Sequence, residues 1–191
     1  MAELFKFLEN PSVAAFIGAA SAFFLVAAND YRRRLAKKRA LKFIVQDQAD
    51  MARDKLESIR NMIQKMQENI FCAAPIMPFD VSQVRLLQHD VIDLLDANQN
   101  QGLNAILYWM QAIDELLGKV LRKSEILEEL SRRDAPNEER QLIGEWILSE
   151  LRDADRNMQI LLKMFNNYVS GKPHLILEEQ HEIPIPKTRS S

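Results

Sequence analysis

An uncharged stretch near the N-terminus limits what this chain can fold into more than any other feature. Residues 10–29 carry no charge, and from Val13 to Ala28 every residue except Ser21 is apolar or glycine. As a helix, about 20 residues rise about 30 Å, which matches the hydrocarbon core of a bilayer. We therefore predict a transmembrane helix at residues 11–29, preceded by a short N-terminal segment at residues 1–10.

A basic segment at residues 30–42 follows this stretch directly. Its seven cations are Arg32, Arg33, Arg34, Lys37, Lys38, Arg39 and Lys42. Positive charge is retained on the cytoplasmic side of membranes, so we predict a single-pass cell-membrane protein with its N-terminus outside. Because the cations would lie within a Debye length of the headgroups, we expect them to contact anionic lipids. The segment lacks interleaved aromatic residues and any nucleic-acid motif, so nucleic acid is not an expected partner.

The apolar stretch is also compatible with three structures that do not span a membrane. Small residues at Val26-Ala27-Ala28 are typical of a signal-peptide cleavage site, although the basic segment behind them would oppose export. A soluble core helix is a second alternative, because alanine is only weakly hydrophobic. An amphipathic helix lying in the interface is a third, but it requires a polar face that this stretch lacks.

Small residues recur on one face of the predicted span. Ala14, Gly18 and Ala22 follow each other at intervals of four residues. This spacing allows two spanning helices to approach closely, so we predict these residues as a face for association between spans. The same spacing also arises by chance in any segment rich in alanine.

The chain after the basic segment has the hydrophobic periodicity of long helices. A heptad-like seam is formed by Ala49, Ala52, Leu56, Ile59, Ile63, Met66 and Ile70. It predicts a helix over residues 30–72, which Pro75 and Pro78 prevent from continuing. Because the following helices could leave part of this seam uncovered, we predict it as a surface for self-association. The alternative is that the chain's own later helices cover the seam completely.

Capping signals and further apolar stripes divide the rest of the chain. Asp80, followed by Gln83, predicts a helix N-cap, whereas residues 96–102 indicate a turn or a weak helix. Stripes that start at Leu103 and Ile143 predict two more helices, and Gly171 is placed to end the second.

These patterns predict an all-α protein. A single N-terminal transmembrane helix would lead into a cytoplasmic, antiparallel bundle of three to four long helices at residues 43–171, with coiled-coil-like packing. Residues 172–191 would form an extended tail, which either docks on the bundle or binds a partner.

The sequence offers no signature of catalysis, metal binding or cofactor binding. One Cys, Cys72, excludes a cysteine-based zinc site, and Glu178 and His181 give one isolated Glu-x-x-His pair where di-iron bundles need two. Phosphate-binding and nucleophile-elbow motifs are missing from the sequence. We therefore expect neither an enzyme nor a bound cofactor.

Taken together, these features favour a membrane-anchored, non-enzymatic interaction or scaffold protein. It would present an acidic helical bundle at the cytoplasmic face, with membrane lipids, a second copy of the chain or an unknown protein as partners. One alternative is a pore-forming effector that perturbs membranes by oligomerising its span. Another is a ligand sensor or enzyme with a site inside the bundle.

Overall fold

The computed structural model describes residues 11–68 and 76–172, and every regular element in them is helical. The elements are α1 (Pro11–Gln67), α2 (Val81–Asp90), a short 3-10 helix (Ile92–Leu94), α3 (Ala97–Arg132) and α4 (Asn137–Val169). The prediction of an all-α bundle is confirmed. Three of the α-helices are long, whereas α2 has 10 residues.

The first helix is continuous over 57 residues, so the apolar stretch, the basic segment and the start of the bundle form one rod. No proline or glycine after Gly18 interrupts it. Leu41 is the first residue of α1 that is buried in the core. The part of α1 before the basic segment therefore projects beyond the bundle.

Aspartate caps start both α2 and α3. The carboxylate of Asp80 accepts the Gln83 N–H at 3.0 Å, as the sequence predicts. Asp96 forms a complete capping box with Gln99, so α3 already begins at Ala97. Of the two structures predicted for residues 96–102, the turn is wrong and the helix forms, because the box satisfies free N–H groups of the first turn.

Left-handed residues end both α3 and α4. At the end of α4, Gly171 has φ +67° and the Lys172 N–H donates to the Asn167 carbonyl at 2.9 Å. At the end of α3, Asp134 has φ +51° and the Ala135 N–H donates to the Leu130 carbonyl at 3.1 Å. Each end is a Schellman motif, in which this bond satisfies a carbonyl of the last turn.

The four helices pack in a ring around one core. Helices α1 and α3 both pack against α2 and α4, and the core continues along α1 from Leu41 to Met62. Arg60 pairs with Asp155, and Met66, further along α1, lies beside Gly144, which precedes Asp155 in α4, so α4 runs antiparallel to α1. Gln48 contacts Asp80 and Lys37 contacts Asp90, so α2 runs antiparallel to α1. Lys38 contacts Gln99 and Lys55 contacts Asp114, so α3 runs parallel to α1.

The predicted transmembrane helix at residues 11–29 is not confirmed. In the part of the chain that the structure describes, no helix combines the length and the hydrophobicity needed to cross a membrane. The apolar stretch of α1 ends at Ala28, and Asn29, Asp30 and the basic segment follow directly. Residues 11–28 rise about 27 Å, slightly less than a hydrocarbon core of about 30 Å.

Candidate functional site

The projecting end of α1 is the most unusual surface of the protein. We call residues 15–28 the apolar extension. All of them except Ala20, which is half-buried, are exposed, and the exposed fraction of Phe23 is 71%. Phe23, Phe24, Leu25 and Val26 are consecutive, so they point in four directions around the helix. The described chain thus leaves apolar surface exposed on every side of this rod.

Three of the seven cations of the basic segment contact the chain itself. We call residues 90–95, which contain the 3-10 helix, the α2 corner. Arg34 Nη1 lies 2.6 Å from Asp93 Oδ2, and Lys37 Nζ lies 2.7 Å from Asp90 Oδ2. Lys38 Nζ donates to the Leu94 carbonyl at 2.5 Å. These contacts fasten the α2 corner to α1 at the base of the apolar extension.

The electrostatics of the corner follow from these contacts. The carboxylates of Asp30 and then Asp93 raise the pKa of Arg34. The hydrogen bond from Lys37 lowers the pKa of Asp90. Both shifts favour the ionised forms of Arg34 and Asp90, but the paired side chains are largely exposed, which limits the contribution of these pairs to stability.

The other four cations, Arg32, Arg33, Arg39 and Lys42, are exposed and form no ion pair with any described residue. Arg32 and Arg33 lie within one turn of Asn29, directly beside the apolar extension. The sequence predicts one uniform group of seven cations. The structure divides it into three that hold the α2 corner and four that remain available to another partner.

The predicted association face lies on the apolar extension and just before it. Gly18 and Ala22 are exposed, and a Cβ built on Gly18 would have no atom within 4 Å. Ala14 belongs to α1, but its side chain lies outside the described part. Association through this face stays a prediction, and no other part of the described chain occupies the surface around Gly18.

The predicted self-association seam faces the interior of the bundle. Ala49, Ala52, Leu56 and Ile59 are buried. Ile63 and Met66 are partly buried against the core, and the Cε atom of Met66 lies 4.0 Å from where a Cβ on Gly144 of α4 would be. Ile70 lies outside the described residues. Self-association through this seam stays a prediction, and it would require these side chains to leave the core.

A buried ion pair joins α1 to α3. Lys55 has an exposed fraction of 4%, and its Nζ lies 2.9 Å from Asp114 Oδ1 and 3.4 Å from the centroid of the Phe79 ring. The other carboxylate oxygen of Asp114 accepts the Phe79 N–H at 2.8 Å. Burial lowers the pKa of Lys55, and the hydrogen bond with Asp114 opposes this effect.

The sequence contains a signal for this ion pair that the prediction missed. Lys55 follows Ala52 by three residues and precedes Ile59 by four, so it shares the core-facing side of α1 with them. A lysine at such a position needs a buried anion, because an unpaired buried ammonium is strongly unfavourable. Asp114, between Ile113 and Leu117 of the second stripe, was the available partner.

The described residues contain no group of three or more His, Cys, Asp or Glu side chains that could hold a metal ion. His89 is exposed at the end of α2, whereas Cys72, Glu178 and His181 lie outside the described residues. Comparison with known proteins identifies no relative: no family model, curated protein or solved structure matches this chain.

Proposed function

We propose that this protein is a non-enzymatic interaction or scaffold protein that the apolar extension of α1 anchors to a membrane. The observation that supports the proposal is the exposure of apolar side chains on every side of this rod. An amphipathic helix can cover its apolar face with its own bundle, but a rod that is apolar all round needs an apolar environment. A bilayer provides such an environment on all sides at once.

The energetics favour insertion. Transfer of one large apolar side chain from water contributes about 1.5–3 kcal/mol, so several of them outweigh the cost of confining the protein to a surface. The helix satisfies its own backbone hydrogen bonds, which is a requirement inside a bilayer. Arg32 and Arg33 follow the end of the apolar extension within about one and a half turns, at the depth where cations meet headgroup phosphates.

In its complete form, the proposal has the chain cross the cell membrane once, with the N-terminus outside and the bundle in the cytoplasm. The basic segment on the bundle side supports this orientation. Insertion that stops within the bilayer would also cover the apolar extension. Membrane attachment and a complete crossing therefore need separate measurements.

The first experiment measures attachment of the full-length protein to lipid vesicles by flotation. We expect the double substitution Phe23→Glu/Phe24→Glu to release the protein, because two carboxylates in the hydrocarbon region are costly. Phe43 provides a matched control, since its exposed fraction of 74% is similar but it lies beside the bundle core. Phe43→Glu should leave flotation unchanged. Equal flotation of all three proteins would contradict the proposal.

The second experiment determines how far the chain inserts. A reporter fused after Ser191 and a tag placed before Met1 should be on opposite sides of the cell membrane if α1 crosses it. Protease added from outside would then remove the tag but not the reporter. Protection of both ends from protease would show attachment from the cytoplasmic side only, and an accessible reporter would contradict the orientation.

The scaffold function requires a partner of the bundle. Crosslinking in native membranes, followed by mass spectrometry, should yield crosslinks between residues 43–171 and one or more proteins. The Phe23→Glu/Phe24→Glu variant should lose those partners that reside in the membrane. If the bundle forms no reproducible crosslink, the scaffold part of the proposal is wrong, although the anchoring part would stand.

A further inference from the structure

A cavity lies between α1 and α3, on the side of the ring where α2 is too short to cover them. Helix α2 has 10 residues, whereas α3 has 36, so no helix among the described residues lies above much of this side. The cavity has a volume of about 220 Å³. Its walls are mainly apolar and include Met62, Ile76, Pro78, Leu117, Gly118 and Leu121. We call it the side cavity.

Packing within the described chain does not account for the glycine in its wall. Gly118 lies in the middle of α3, where glycine is the least favourable residue apart from proline. A Cβ at this position would have one neighbouring atom within 4 Å, Arg122 Nη1 at 3.8 Å, which is an ordinary contact. The missing Cβ therefore leaves room for a group that approaches the backbone of α3 closely.

The charged groups around the side cavity favour one kind of ligand. Asp114 contributes to the wall, but Lys55 compensates its charge at 2.9 Å. The guanidinium of Arg122 lies beside Gly118, is exposed, and forms no ion pair with the described residues. The side cavity is thus an apolar recess, and one uncompensated cation lies beside the glycine of its wall, where a guanidinium can bind a carboxylate through two parallel hydrogen bonds.

We propose that the side cavity binds a small apolar carboxylic acid, with its hydrocarbon part against Gly118 and its carboxylate on Arg122. A cavity of about 150 Å³ lined by apolar side chains is large enough for benzene. The side cavity therefore has room for one aromatic ring or a chain of about six carbons. A longer acyl chain would extend into solvent.

The probes are benzoate and hexanoate, each compared with its uncharged amide, and binding to the full-length protein is measured by calorimetry and amide chemical shifts. Arg122→Gln should raise the dissociation constants of both acids about tenfold and leave those of the amides unchanged. Arg132→Gln is the matched control, because Arg132 is an exposed arginine of the same helix that pairs with Glu128. Arg132→Gln should change neither the dissociation constants of the acids nor those of the amides.

Gly118→Leu tests the location. Its side chain would fill the recess, so binding of acids and amides should both be lost, whereas Arg122→Gln affects the acids alone. If the recess is empty in the free protein, Gly118→Leu should unfold at the same or a higher denaturant concentration. Unfolding at a lower concentration would show that the chain's own residues fill the space and would overturn the proposal. Failure of the acids to saturate, or equal affinity for acids and amides, would overturn it as well.

Discussion

At the residue scale, the backbone of Asp134 holds a conformation that suits glycine better. Asp134 has a φ of +51° and ends α3 in the same way that Gly171, with a φ of +67°, ends α4. A side chain in this region costs about 1 kcal/mol or more, although aspartate tolerates it better than most residues. We expect Asp134→Gly to raise the free energy of unfolding by up to about 1 kcal/mol. Asp134→Val should lower it, and urea denaturation measures both. Destabilisation by glycine would contradict the assignment of a strained C-terminal cap.

Tyr168 gives the stability a dependence on alkaline pH. Burial, together with the charge of Asp96, raises its pKa to about 12, whereas an unfolded tyrosine titrates near about pH 10. The folded state thus favours the neutral phenol, so Tyr168 contributes to the free energy of unfolding. This contribution is fully present below about pH 10 and is lost as the pH rises to about 12. In the Tyr168→Phe variant, the free energy of unfolding should therefore decrease less between about pH 10 and about pH 12 than in the unaltered protein. The control is Tyr108→Phe, which changes an exposed tyrosine and should keep the full decrease in stability at alkaline pH. Identical pH profiles of the two variants would contradict the prediction.

At the element scale, the pair of Lys55 and Asp114 connects α1, α3 and the segment before α2. We expect Lys55→Met to lower the free energy of unfolding by about 3 kcal/mol, because it leaves Asp114 without its cation. In the double variant Lys55→Met/Asp114→Asn, the amide oxygen can still accept the Phe79 N–H. The double variant should therefore be more stable than the sum of the single changes implies, and a double-mutant cycle measures this difference. Strictly additive effects would show that the two charges do not interact.

Local patterns predicted most of the helices, and the failures have physical causes. The N-cap at Asp80 and the helix end at Gly171 depend on neighbouring residues alone, so the sequence was sufficient. The start of α3 was missed because Asn100 and other polar residues weigh against a helix. In the fold, Gln88 donates to Asn100 at 2.7 Å and to Asn104 at 2.8 Å, so tertiary hydrogen bonds accommodate this polar turn.

At the scale of the whole molecule, the candidate site was predictable in composition but not in arrangement. The apolar stretch and its seven cations are visible in the sequence. Their division depends on α2 returning along α1, which brings Asp90 to Lys37 and Asp93 to Arg34. No local pattern encodes such contacts, because they depend on how the helices pack. The same packing covers most of the seam that the sequence left open to a second copy.

This division of the cations leads to a prediction about membrane attachment that depends on the whole fold. Near an anionic surface, each cation contributes about 1 kcal/mol to binding. We expect replacement of Arg32, Arg33, Arg39 and Lys42 by glutamine to weaken binding to vesicles that contain anionic lipid by up to about three orders of magnitude. Their side chains are exposed, so the free energy of unfolding should hardly change. High salt should reduce the difference from the unaltered protein, since screening removes the same attraction.

The matched variant replaces Arg34, Lys37 and Lys38 by glutamine. These side chains already bind Asp93, Asp90 and the Leu94 carbonyl, so their loss should loosen the α2 corner and lower the denaturation midpoint. This triple substitution also leaves Asp90 and Asp93 without their cations close to the membrane. Even so, the loss of vesicle binding for each cation removed should be smaller than in the variant that lacks Arg32, Arg33, Arg39 and Lys42. Equal losses per charge would mean that lipid phosphates displace the corner carboxylates. In that case all seven cations would contact the membrane, and the α2 corner would detach from α1 whenever the protein binds.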